Sequence, residues 1–176
     1  MVSDESLILE YQRGSQEALD ELFARYRQPL YAFFRRRLAA RERAEDLTQE
    51  TFIAVMRSSA RYEPRALFRT YLYGIAMNLL SAERRKHGAR REEPQEAVAQ
   101  FDRNRDTALW VREALEKLDW EDREILMLRK YEQLSYGEIA ALLRIPLNTV
   151  RSRLFRSRLA LRDYLEPASR PTAHKD

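Results

Sequence analysis

Residues 134–161, LSYGEIAALLRIPLNTVRSRLFRSRLAL, admit few arrangements other than two short helices joined by a tight turn. Ser135 opens the run S-Y-G-E. Its hydroxyl can accept from the backbone N–H of Glu138 while the Glu138 carboxylate reaches back, a capping box that fixes a helix start. Ile139, Leu142 and Leu143 follow at helical spacing. Arg144-Ile145-Pro146 ends the run, because proline disfavours the helical region for the residue before it. A second helix then begins between Pro146 and Asn148. Val150, Leu154, Ser157 and Leu161 share one side of it, and Asn148, Ser152, Phe155 and Arg156 share the other. Arg151, Arg153, Arg158 and Arg162 line the flanks, against the single acid Asp163. This is the pattern of a helix entering the major groove: flanking cations hold phosphates and a few forward side chains reach base edges. A solvated basic face on an ordinary helical hairpin is the alternative. The coincidence of capping box, proline-containing turn and arginine stripe favours DNA binding.

The rest of the composition bounds the chain without specifying it. At 176 residues it can hold one large or two small domains, and four glycines argue against a turn-rich all-β fold. The net charge of +4 is modest, so basic character must be local. It concentrates at Arg35–Arg37, at Arg84-Arg85-Lys86 with Arg90-Arg91, and on the helix just described. Absence of cysteine excludes disulfides, thiolate metal sites and direct thiol sensing by this chain. No apolar run could span a bilayer and no apolar leader is seen, so a soluble cytoplasmic protein is expected. His87 and His174 lie in polar segments without partners at ligand spacing, so no metal is expected. With no Ser/His/Asp or Cys/His set and no glycine-rich phosphate loop, neither an enzyme nor a cofactor is expected.

Taken in order, Ser3–Arg13 reads as a short helix broken at Gly14-Ser15, with Ser15 capping a helix over Ala18–Tyr26. Pro29 suits the first turn of a further helix carrying Leu30, Phe33, Phe34 and the Arg35–Arg37 run, whose simplest reading is a solvated face. Over Arg43–Ser59, Leu47, Thr51, Ala54 and Val55 form a core stripe with Phe52 beside it. Asp46, Gln49, Glu50 and Ile53 fall on another face. An isoleucine among acids and an amide is either the centre of a partner-binding patch or a residue covered by a neighbouring helix. Ser59–Leu67 reads as a loop. Phe68–Lys86 is a helix with Phe68, Leu72, Ile75, Ala76 and Leu79 inward and Thr70, Gly74, Met77, Asn78, Ser81, Arg84 and Arg85 outward. Tyr71 and Tyr73 lie at its margins. Rings beside an amide and a basic end suit single-stranded DNA, although marginal tyrosines are also common in cores. Residues 88–105 lack an apolar period and read as a flexible linker. Asp106–Leu118 and Glu121–Tyr131 are helices leading into the capping box, and residues 166–176 read as a disordered tail.

The order D-L-T-Q-E-T-F, aromatic loop, F-R-T-Y-L-Y-G-I-A-M-N-L-L with R-R-K, linker, then L-S-Y-G-E-I-A-A-L-L-R-I-P-L-N-T-V-R-S-R resembles the extracytoplasmic-function (ECF) group of bacterial RNA polymerase sigma factors. The resemblance covers nearly all of residues 15–165. It implies an all-α chain of two small helical domains, region 2 over residues 1–87 and region 4 over residues 106–165. By the same resemblance Asp46, Gln49, Glu50 and Ile53 dock on the clamp coiled coil of the polymerase's largest subunit. The loop around Arg61, Tyr62, Pro64 and Ala66 captures a base flipped from the minus-ten element. Phe68, Tyr71, Asn78, Arg84, Arg85 and Lys86 belong to the segment that holds that strand. Asn148, Thr149, Arg151, Ser152, Arg153, Phe155, Arg156 and Arg158 face the minus-thirty-five duplex. The implied partners are core RNA polymerase (clamp and flap region), promoter DNA and an anti-sigma protein. The chain departs from the group's pattern at Tyr71 (commonly Trp), Gly74 (often Arg), Ala82 (often Asp) and Asn148 (often Gly), which bears on which promoter sequence is read. A stand-alone helix-turn-helix regulator, with residues 1–90 as a dimerisation or sensing domain, is the competing reading. It requires tight duplex binding without polymerase and a palindromic site.

Overall fold

A computed structural model describes residues 2–86 and 105–165, with side chains in the second stretch described from Val111 onward. The chain divides into two compact units, one containing residues 2–86 and the other residues 105–165. All regular structure among the described residues is helical. The expected linker, apart from its last residue, and the expected tail lie outside the described residues, as do both histidines.

The first unit is built from α1 (Asp4–Gln12), α2 (Gln16–Arg35), α3 (Arg41–Ser58), a 3₁₀ turn at Ser59–Arg61 and α4 (Phe68–Lys86). The Ser3 hydroxyl caps α1 by accepting from Ser6 N–H at 3.1 Å, and Asp4 and Glu5 sit in the first turn, where the helix dipole favours acids. Gly14 has φ +105°, a conformation glycine adopts without a Cβ penalty, and Ser15 then caps α2 by accepting from Ala18 N–H.

The two helices expected on either side of Pro29 are one. α2 runs unbroken for 20 residues with Pro29 inside it. An internal proline removes a backbone hydrogen bond and costs about 3 kcal/mol. Leu30, Phe33 and Phe34, each fully buried, return about 1.5–3 kcal/mol apiece only if the helical register continues through the proline. The Arg35–Arg37 run is not the solvated face expected. Arg35 donates to the carbonyls of Leu38 and Ala39 at 3.2 and 2.9 Å. Arg37, 4% exposed, donates to Phe33 O at 2.9 Å and stacks on the Phe33 ring. Cations at a helix C-terminus satisfy its orphan carbonyls and oppose its partial negative charge.

α3 packs on α2 and α4 through Leu47, Phe52 and Val55. Thr48 and Thr51 are buried beside them, donating to the carbonyls of Ala44 and Leu47 at 2.7 Å. The buried side of α4 is Phe68, Leu72, Tyr73, Ala76, Leu80 and Glu83. The expected stripe is therefore displaced by part of a turn: Ile75 and Leu79 are only half-buried, and Tyr73 lies inside with its ring 5.4 Å from that of Phe33.

The second unit comprises α5 (Arg105–Glu116), α6 (Trp120–Lys130), α7 (Tyr136–Leu143) and α8 (Leu147–Leu165). α5, α6 and α7 all pack against α8 around Ile125, Leu128, Leu134, Ile139, Val150 and Leu154. Both halves of the Ser135/Glu138 capping box form, at 3.2 and 2.8 Å. The chain reverses at Arg144, in the left-handed region at φ +55°, two residues before the proline expected to end the run. Pro146 instead precedes α8, where its carbonyl accepts from Thr149 and Val150, and its missing N–H costs nothing.

Candidate polymerase and nucleic-acid interfaces

On α3, Asp46 and Gln49 are exposed, Glu50 is half-buried, and Ile53 is 44% exposed. Among the described residues no neighbouring helix covers the isoleucine, so it stands as an apolar centre in a polar rim. Arg43, one turn before Asp46, organises the acids. It makes a bidentate contact to Glu83 of α4 at 2.7 and 2.8 Å, a bond to Glu50 at 2.9 Å and a looser pair with Asp46 at 3.6 Å. The hydrogen bonds to Glu83 and then Glu50 hold the guanidinium's pKa above its usual value against desolvation. Both charges of the main pair are misplaced for their own helices, a cation near the start of α3 and an acid near the end of α4. The tertiary pair explains why they are there.

The end of the 3₁₀ turn and the loop after it expose Arg61, Pro64 and Ala66. Two of the residues expected to meet the unpaired strand face the other way. Tyr62 is 6% exposed; its hydroxyl donates to Ala66 O at 2.7 Å, and burial first, then Glu5 and Asp4, push its pKa up to about 12. Phe68 is fully buried, its ring 5.7 Å from Tyr26 and 6.2 Å from both Tyr62 and Tyr71. Phe68 therefore supports the aromatic cluster from beneath and has no surface to offer a base. Tyr71 is half-buried with its hydroxyl against Ser58 Oγ and its ring 5.1 Å from that of Tyr62. Asn78 lies two turns further along the same side of α4 and is exposed, as are Arg85 and Lys86, while Arg84 is half-buried.

α8 buries Val150, Leu154 and Ser157, the side expected, with Leu161 half-buried. Asn148, Arg151, Ser152, Phe155, Arg156 and Arg158 are exposed on the rest of the surface and Thr149 is half-buried. Phe155, at 64%, is the most exposed large apolar residue described. Such a ring stripped of cover suits contact with a thymine methyl. Arg153 differs from its neighbours. It is half-buried and pairs with Glu121 and, at 3.4 Å, with Asp122 of α6, while Arg156 is a looser 3.9 Å from Asp122. The sequence grouped Arg153 with the phosphate-facing cations, yet it is held by its own domain. Arg43, Glu83, Glu121 and Asp122 had no local signal; each acquires its part through a residue distant in the chain. No group of three or more potential metal ligands occurs among the described residues, nor is any helix of theirs long and apolar enough to cross a membrane.

Two family models match in the order of the two units: Sigma-70 region 2 over residues 22–90 and Sigma-70, region 4 over residues 108–161. Among curated relatives, the ECF RNA polymerase sigma factor SigE of Mycolicibacterium smegmatis is 40% identical over 174 residues, covering 91% of this chain and 67% of that protein. The RNA polymerase sigma-H factor of Pseudomonas aeruginosa is 30% identical, with 95% of this chain and 96% of the relative covered. Among solved structures, CnrH in complex with the cytosolic domain of CnrY superposes with a TM-score of 0.72 at 26% identity, covering 95% of this chain and 99% of that one. RpoE of Bartonella quintana, solved with the anti-sigma factor NepR, shares the fold at a TM-score of 0.66 and 24% identity, covering 86% of this chain and 98% of that one. By its paired region 2 and region 4 domains and its similarity across nearly its whole length, the chain belongs to the extracytoplasmic-function group of RNA polymerase sigma factors.

Proposed function

We propose that this chain binds core RNA polymerase and directs it to promoters, recognising and opening the DNA itself without catalysing a reaction. The polymerase's clamp coiled coil is taken up by Asp46, Gln49, Glu50 and Ile53. The exposed isoleucine in an acidic rim carries this assignment, because an uncovered apolar residue ringed by polar groups is the usual centre of a protein interface. On the upstream duplex, Asn148, Ser152, Phe155 and Arg156 face the bases of the minus-thirty-five element, with Arg151 and Arg158 on phosphates. Downstream, Arg61, Pro64 and Ala66 border the captured base, and Tyr71, Asn78, Arg85 and Lys86 hold the unpaired strand.

Two modules on one chain raise each other's effective concentration at a promoter. Opening the duplex costs about 1.4 kcal/mol per stacked step. A captured base stacked on an aromatic ring returns about 1–3 kcal/mol, so a few such contacts offset several lost steps. The work takes place in the cytoplasm, where polymerase and DNA are. An anti-sigma protein that masks the polymerase and DNA faces is the natural regulator, since Ile53 and Phe155 are open to cover.

The reading is tested by run-off transcription with purified core polymerase on a random promoter library. The expected result is enrichment of a two-part sequence dependent on the added chain. Tight binding to a palindromic duplex without polymerase, and no transcription, would instead support the stand-alone regulator.

A further inference from the structure

Helix α1 lies before the stretch matched by the region 2 family model, which begins at residue 22. It has nine residues and buries Leu7 and Ile8. Its polar side chains are occupied in an unusual way. The Gln12 amide donates to two carbonyls at once, Ser59 O at 2.7 Å and Tyr62 O at 2.9 Å. Glu5 Oε1 accepts from the backbone N–H of Phe68 at 2.9 Å, the first residue of α4, where the helix dipole favours a carboxylate. The two contacts fall on either end of the loop over residues 62–67. Asp4 in turn is fastened to α2 by Arg25 at 2.7 Å and by the Tyr26 hydroxyl, so the frame is itself anchored. Within the loop, the Tyr62 hydroxyl spans to Ala66 O.

We propose that Gln12 and Glu5 are positioning residues for base capture: they fix both ends of the loop so that its exposed residues form the receiving surface before DNA arrives. This rests on reading residues 61–67 as the base-capturing loop. A loop ordered in advance does not lose that freedom on binding, and the gain appears as affinity and selectivity at the one base it surrounds. Nothing in α1 need touch DNA or polymerase.

The test uses holoenzyme assembled from the full chain carrying Gln12→Met (similar shape, no donor), Glu5→Ala, or Glu5→Gln, which keeps an acceptor. Open-complex formation is measured on promoter fragments differing only at the captured base. Affinity for core polymerase and for a minus-thirty-five duplex is measured in parallel. Gln12→Met and Glu5→Ala should each lower discrimination at that position about tenfold, as expected when a preformed site must be ordered on binding. Glu5→Gln should retain most of it, and the two affinities should not change. Undiminished discrimination in both variants overturns the proposal. So does loss at every promoter position together with weakened core binding, which marks a general structural role. If the wild-type holoenzyme shows no preference at that base, the reading of the loop fails and the proposal with it; the wild-type arm alone reveals that case.

Discussion

Replacing Arg43 with alanine removes a guanidinium from a Glu83 carboxylate whose side chain is only 5% exposed. Taking one partner from a buried ion pair typically costs about 3–5 kcal/mol, because the remaining charge stays desolvated. Arg43 itself is 28% exposed, and solvent screening weakens its part of the pair, so the expected cost falls to about 2–3 kcal/mol. Removing the other partner is gentler. In Glu83→Gln the arginine keeps Glu50 at 2.9 Å and has access to water, so about 1–2 kcal/mol is expected, near the value of one charged hydrogen bond. For a domain of this size each kcal/mol moves Tm by about 4–8 °C, which places both variants well outside measurement error. The reversed pair, Arg43→Glu with Glu83→Arg, puts an acid at the start of α3 and a cation at the end of α4, where the dipoles favour them. It should recover part of the loss, incompletely because the new carboxylate on α3 would stand beside Asp46 and Glu50. Urea denaturation of the full chain, followed on the transition of the first unit, gives these values. Adding the Arg43→Ala/Glu83→Gln double variant to the parent and the two single variants closes the cycle that yields the coupling energy. An Arg43→Ala cost below about 0.5 kcal/mol, or strictly additive single effects, would refute the reasoning that these misplaced charges are a tertiary staple.

Arg156→Ala should weaken binding by about 1–3 kcal/mol at one base position of the minus-thirty-five duplex if the guanidinium makes a bidentate base contact; uniform loss over all variants in a competition assay would remove it from the forward face. Arg158→Ala should reduce the salt slope of duplex binding by about 0.9 for a lost phosphate contact, whereas Arg153→Ala, already paired with α6 acids, should change it less and lower the second unit's stability instead. Tyr62 is neutral in the fold with a pKa raised from 10.0 to about 12, so its contribution to stability is complete below pH 10 and is lost as pH rises through 12. Tyr62→Phe should flatten that part of the stability profile, as followed by denaturation across the alkaline range.

Where function rests on local pattern, the sequence was legible. The Ser135/Glu138 box formed as read, and the inward side of α8 is the expected one because a single helix with strong periodicity needs no knowledge of its neighbours. Family order then supplied the proposed polymerase face. What local pattern missed was tertiary. Pro29 signalled a break, but the burial of Leu30, Phe33 and Phe34 outweighed it. The marginal aromatics on α4 could not be assigned from spacing alone, and Tyr73 proved to be core while Tyr71 is half-buried. Phe68 lies inward as its spacing indicated, although the family resemblance set it against the unpaired strand. Arg35 and Arg37 resembled a solvated run until the end of α2 supplied carbonyls for them. Arg153 looked like its neighbours because Glu121 and Asp122 lie more than thirty positions away.

The central claim is that one exposed patch on α3 seats the chain on the polymerase, and equilibrium binding to purified core enzyme tests it most directly. The full chain should bind core, and Ile53→Asp, which sets a charge in the middle of the apolar contact at a position 44% exposed in the free fold, should weaken binding at least about a hundredfold without lowering stability. Absence of measurable affinity in the wild-type chain, or an Ile53→Asp variant that binds core as tightly as the parent, would contradict the account.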